Sequence, residues 1–95
     1  KTFWQAALGV EAGAEPDGYV FFKAREGRSG LTLQKVPESK TIKNRVHLDI
    51  EVPDLDTGIT QLEALGAKVI QPRPTEGWQW VVMTDPEGNE FCVST

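Results

Sequence analysis

Between Arg45 and Val52 the chain alternates strictly. Val46, Leu48, Ile50 and Val52 are apolar, and His47, Asp49 and Glu51 between them are polar. Successive side chains of a strand point to opposite faces, so this period of two predicts a half-buried strand with one apolar and one polar side. The last segment, Glu90 to Thr95, behaves alike: Phe91 and Val93 share a side, with Glu90, Cys92 and Ser94 on the other. The two strands are expected to aim polar groups at one cavity. Between them, Leu55, Ile59, Leu62 and Leu65 recur at helical spacing. Asp54 is placed to accept hydrogen bonds from the free N–H groups at the start of that helix, and Gly66 to end it. Gly58 costs about 1 kcal/mol relative to Ala inside a helix, which the apolar stripe and both caps outweigh. Ala67 to Gln71 reads as a strand, and Pro72-Arg73-Pro74 as a turn or an edge-compatible stretch. Gly77 to Thr84 is a further strand and Asp85-Pro86-Glu87-Gly88-Asn89 a tight turn. Residues 45–95 therefore spell β-α-β-β-β.

The first half echoes that order. Thr2 to Leu8 reads as the tail of a helix with Phe3, Ala7 and Leu8 on one face and Gly9 at its left-handed cap. Residues 10–18 allow a short edge strand and then a turn. Tyr19 to Arg25 reads as a strand, residues 26–30 as hairpin chemistry, and Leu31 to Val36 as the returning strand, with Thr32 and Gln34 opposite Leu31 and Leu33. Pro37 to Asn44 is polar and aperiodic, a linker. Ala7-Leu8-Gly9 matches Ala64-Leu65-Gly66, Gly18-Tyr19 matches Gly77-Trp78, and both terminal hairpins contain Glu-Gly, at offsets of 57, 59 and 61 residues. Three matches in order predict an internal duplication. Its first copy is truncated: the counterpart of the His47 strand, and most of the first helix, would precede Lys1.

Composition narrows the classes of function. Ninety-five residues, 39% hydrophobic and 25% charged, suit one globular domain. A net charge of −4 argues against nucleic acid, because phosphate binding needs clustered Lys and Arg. The local run Lys35, Lys40, Lys43 and Arg45 is interrupted by Glu38 and reads as a solvated linker. Cys92 is the single cysteine, so no internal disulfide forms, which fits a reducing cytoplasm. No apolar run approaches the ~20 residues that cross a bilayer. The chain opens on Lys1, not Met, so the natural chain is expected to begin earlier.

The run "RVHLDIEVPDL", the helix ending "LEALGA" and the close "DPEGNEFCV" resemble the vicinal oxygen chelate superfamily, the glyoxalase/bleomycin-resistance/dioxygenase fold. More narrowly, "VPESKTIKNRVHLDIEVPDLD" with "GWQWVVMTDPEGNEFCV" is similar to the small bacterial glyoxalase-like proteins. The resemblance spans residues 2–95 and is densest over 43–93. It implies an α+β fold of paired βαβββ modules curled around a cavity: a partial first module at 1–36, a linker at 37–44 and a complete second module at 45–95. In metal-dependent members each module supplies one ligand from its first strand and one from its last. Those positions fall on His47 and Cys92 in the second module and near Gln34 in the first. Chelating members carry Glu where Cys92 stands, so the family's ligand set is incomplete here, and Glu90, two residues away on the same face, is a displaced carboxylate candidate.

Two functional readings follow. In the first, a divalent Zn, Ni, Mn or Fe ion held by His47, Cys92 and Glu90 supports a lyase, isomerase or dioxygenase reaction by polarising a carbonyl or enediolate oxygen. Without metal, His47 is the natural general acid or base, with Glu90 as the second catalytic candidate and Asp49 or Glu51 to orient the ring. Against this, a histidine facing a cavity is more often simply hydrogen-bonded to a neighbour, and a lone thiol is more often buried and inert. In the second reading the protein binds a small organic molecule without catalysis, as antibiotic-sequestering members of this fold do. Trp78 and Trp80, with Tyr19 and Phe21 as repeat partners, would stack a flat ligand, or equally pack as core. Gln34, Arg45 and Asp49 complete the candidate ligand contacts. Open sheet edges suggest a homodimer.

Overall fold

The computed structural model describes residues 1–23, 30–44, 46, 48–77 and 79–95. The candidate residues Arg45, His47 and Trp78, and most of the hairpin expected at 26–30, lie outside them. The chain divides into two compact units, Lys1–Ser39 and Lys40–Thr95.

In the first unit, helix α1 (Thr2–Leu8) closes on Gly9 at φ 61°, ψ 37°, whose left-handed backbone a side chain would strain. Phe3 and Trp4 are both buried, their rings meeting edge to face at 5.1 Å. The inner face therefore includes Trp4 beside the expected Phe3, while Ala7 and Leu8 are half-buried. Strands β1 (Tyr19–Phe21) and β2 (Thr32–Gln34) pair antiparallel, with Tyr19 opposite Gln34 and Phe21 opposite Thr32. The edge stretch before β1 reduces to one antiparallel bridge, Ala12 to Phe22.

The second unit has the order read from the sequence: β3 (Leu48–Glu51), α2 (Leu55–Ala64), β4 (Lys68–Gln71), β5 (Trp80–Thr84) and β6 (Glu90–Ser94). Its four-stranded sheet runs β3-β6-β5-β4, with β3 parallel to β6 and the other pairs antiparallel. The register sorts every side chain to a face. Phe91 and Val93 of β6 lie beside Met83 and Val81 of β5, and all four are buried. Leu55 and Leu62 of α2 and Ala67 after it are buried as well, and α2 packs against β6 and β4. This apolar layer is the core of the unit. The opposite face carries the polar half of each alternation.

The first strand of the unit is shorter than the alternation suggested. At 45–52 the observed strand is Leu48–Glu51, with Val46 83% exposed and Leu48 41% exposed. β3 is an edge strand, so β6 covers it on one side only and its apolar residues gain little burial. β4, the other edge, is exposed along its whole length, and a bulge falls between Val69 and Gln71.

Two local devices hold the unit together. Asp54 caps α2 by accepting from the Thr57 N–H at 2.9 Å, as expected. Asp85, buried at the β5–β6 turn, accepts from the Glu87 N–H at 3.0 Å, the Asn89 N–H at 2.8 Å and Asn89 Nδ2 at 3.0 Å. Those three donors satisfy a carboxylate that would otherwise be costly to bury.

Gly58 has a role the sequence did not announce. A Cβ at this position would stand 2.9 Å from Cγ2 of Val52, so the helix approaches the end of β3 closely only because no side chain is there. Gly58→Ala is expected to lower stability by about 1–3 kcal/mol through overpacking, although Ala is the better helix former. Urea denaturation with an unchanged slope checks this, and a stabilised variant contradicts it. Asp85→Ala should cost about 1–3 kcal/mol by leaving turn donors unmatched, read in the same experiment.

Candidate functional site

Strand parity builds the site. On β6, Glu90 and Cys92 point away from the core that holds Phe91 and Val93. The parallel register sets Asp49 of β3 directly opposite Cys92, and the antiparallel register sets Val82 of β5 on its other side. Trp80 lies across from Ser94 and Gln71 of β4 across from Val82, so both share that face. Lys43, from the segment before β3, joins them. Together with Phe91 these residues line a concavity of about 450 Å³ within the second unit, a size suited to a small organic molecule.

The polar groups of this face are engaged with each other. Lys43 Nζ donates to Glu90 Oε2 at 2.6 Å, and Asn44 Nδ2 donates to the Glu90 carbonyl at 3.1 Å. The Glu90 side chain is only 19% exposed, whereas that of Lys43 is 78% exposed, so an exposed cation reaches down to a partly buried carboxylate. The β3–β6 register sets the Asp49 carboxylate beside the Cys92 thiol. Burial pushes this thiol above its ordinary range, and the Asp49 charge and hydrogen bond push it further, with Glu90 adding to the rise and Lys43 opposing it. Cys92 is therefore held protonated at neutral pH, the reverse of an activated nucleophile.

The same facts bear on a metal. A ligating cysteine must be a thiolate and a ligating carboxylate must be available. Here the thiol is kept protonated and the carboxylate is already paired with an ammonium. Among the described residues no group of three His, Cys, Asp or Glu side chains is placed to hold an ion. The described donors do not fit a divalent cation, and the His47 part of the expected set lies outside the described residues.

Of the other ligand candidates, Asp49 and Trp80 are brought together in the cavity. Gln34 belongs to the first unit, across from Tyr19 on β1, where the Tyr19 and Phe21 rings lie 6.1 Å apart and 18° from coplanar, both partly exposed. Arg45 and Trp78 lie outside the described residues. Lys43, Gln71 and Val82 line the cavity without having been singled out from the sequence. Parity counted back from Cys92 through the hairpin would have found Val82. The bulge before Gln71 breaks that count, and Lys43 lies in a stretch with no period to count.

The thiol's environment yields a direct test. Alkylation of native Cys92 by iodoacetamide should show a pH midpoint above the ~8.5 of a free thiol. Asp49→Asn, which removes both the charge and the carboxylate acceptor, should lower that midpoint. A native midpoint below the free value contradicts the described surroundings.

Comparison with known proteins places this geometry. The family model for the glyoxalase-like domain matches residues 1–94. No curated protein sequence matches. Among solved structures, a glyoxalase/bleomycin resistance protein/dioxygenase family enzyme from Burkholderia phytofirmans PsJN is similar with a TM-score of 0.72 at 20% identity, covering 96% of this chain and 83% of that one. A genomically encoded fosfomycin resistance protein, FosX, from Listeria monocytogenes, in complex with Mn(II) and sulfate, is similar at 0.76 and 15% identity, covering 98% and 75%. Lactoylglutathione lyase from Agrobacterium tumefaciens is similar at 0.65 and 27% identity, covering 97% and 79%. The complete βαβββ order of the second unit, and a family match that runs almost end to end, make the chain a member of the glyoxalase-like domain family, within the vicinal oxygen chelate superfamily.

Proposed function

We propose that the protein binds a small, flat organic molecule on the polar face of the β3-β6-β5-β4 sheet. The observation that carries this reading is the concavity itself. It offers one aromatic wall, Trp80, beside a polar floor of Asp49, Glu90, Gln71 and Lys43. An aromatic wall contributes apolar area and ring stacking, and a few placed polar groups fix orientation. The described groups support binding over catalysis. The thiol is protonated, and the most buried carboxylate of the site is already matched by a cation. Neither is poised as nucleophile or base.

The metal-assisted reading, with His47, Cys92 and Glu90 as ligands, draws its support from the relative that binds Mn(II). The pairing of Glu90 with Lys43 weighs against it in this chain. A homodimer belongs to the same proposal, supported by the exposed apolar residues Leu48, Val69 and Ile70 on the two edge strands. So does a cytoplasmic setting, supported by the sequence having one cysteine and hence no internal disulfide.

Saturation-transfer NMR against a panel of planar heteroaromatic compounds tests the reading. Compounds that bind should lose about fivefold in affinity to Trp80→Ala, equivalent to about 1 kcal/mol of stacking. A panel without binders, or binders indifferent to Trp80→Ala and Gln71→Ala alike, contradicts it.

A further inference from the structure

One residue of each strand meets in a row across the cavity floor: Asp49 of β3, Cys92 of β6, Val82 of β5 and Gln71 of β4. The row is polar at both ends, and the ends differ. At the β3–β6 end the groups already have partners within the protein. Lys43 donates to the Glu90 carboxylate, Asn44 donates to the Glu90 carbonyl, and Asp49 and Cys92 are engaged as well. At the other end stands Gln71, exposed on an edge strand that ends there. No hydrogen bond among the described residues occupies its carboxamide. Gln79, the residue before Trp80, instead donates from its amide to the carbonyls of Pro74 and Gly77.

Distance decides which end a ring stacked on Trp80 meets. Gln71 pairs with Val82, two residues along β5 from Trp80. Such diagonal neighbours lie about 7–8 Å apart, within reach of long and aromatic side chains. Asp49 is two strands across from β5 and two residues along, roughly 12 Å from Trp80 at ordinary sheet spacings. Glu90, paired with Thr84, is one strand across and four residues along, roughly 14 Å away. Gln71 is therefore the polar group beside such a ring. Its carboxamide sets an N–H donor and a carbonyl acceptor side by side in one plane. The edge that matches it presents an acceptor and an N–H side by side in turn. We propose that Gln71 determines the specificity of this cavity, and that the ligand is a planar heterocycle with a cyclic amide at its edge. The ring carbonyl accepts from the Gln71 amide, and the ring N–H donates to the Gln71 carbonyl. The inference rests on reading the cavity as a site for a flat molecule, and adds which edge of that molecule is recognised.

Quinolin-2-one and its N-methyl derivative provide the test, because they share the ring and the carbonyl and differ in the one N–H. By calorimetric titration the native protein should bind quinolin-2-one at least about fivefold more tightly, the low end of what one bidentate amide pair discriminates. Gln71→Met keeps the length of the side chain and neither polar group, so the two compounds should bind it almost equally. A merely structural role for Gln71 would weaken both and leave their ratio intact. The exposed edge position makes the variant compatible with folding, its amide spectrum verifies it, and Gln71→Ala gives the same comparison. Equal binding of the two compounds to the native protein overturns the inference. So does a folded Gln71→Met variant that keeps the native ratio, and so does binding of neither compound. The wider planar panel decides the underlying reading separately: members that bind through Trp80 preserve it when the inference fails, and a panel without binders removes both.

Discussion

The parallel pairing of β3 with β6 is the constraint on which the site depends. It joins the first strand of the second unit to its last, across α2 and the β4–β5 hairpin. In doing so it sets Leu48 and Ile50 beside Phe91 and Val93 on one face, and Asp49 beside Cys92 on the other. A slip of one residue would exchange these faces, sending carboxylate into the core and apolar side chains into the cavity. The buried Phe91, Met83 and Val93 lock the register from one side, since each is almost wholly withdrawn from solvent. The polar face is thus a by-product of the apolar one. Its chemistry is positioned by packing that takes place behind it.

On that polar face, electrostatic matching limits what the groups can do. A thiol near a cation and away from carboxylates ionises readily and attacks electrophiles. Cys92 has burial, Asp49 and Glu90 working against ionisation, with Lys43 pulling the other way. The result is a mutually satisfied cluster of donors and acceptors beside an indole wall. Such a surface suits recognition, because a ligand can exchange hydrogen bonds with it without first creating an unstable charge. A shared scaffold does not decide between recognition and chemistry: function resides in the side chains set on it.

Much of the second unit was legible in the sequence because its physics is periodic. The two alternating segments gave the correct faces for Asp49, Glu90 and Cys92, and the Asp54 cap was visible from its place before the apolar stripe. Strand ends were less legible. Alternation continues through Val46, yet the strand starts at Leu48, because an edge strand gains burial from one neighbour only. Gly58 looked like a helix defect. Its purpose appears only when Val52 is seen 2.9 Å from where a Cβ would be, a tertiary fact with no local signal. Lys43 was hidden for the opposite reason. In an aperiodic polar stretch nothing distinguishes the one lysine that folds back onto β6 from those that face water. The pairing of His47 with Cys92, central to the sequence reading, involves a residue outside those described.

Because Cys92 is the single cysteine, the register can be read chemically. Asp49→Cys introduces a second thiol directly opposite it, and Leu48→Cys introduces one a residue away on the other face. Mild oxidation followed by intact-mass measurement should show loss of two hydrogens, as an intramolecular disulfide, in Asp49→Cys and not in Leu48→Cys. A disulfide in Leu48→Cys with none in Asp49→Cys would place Cys92 on the core side of the sheet, and the cavity described here would not exist.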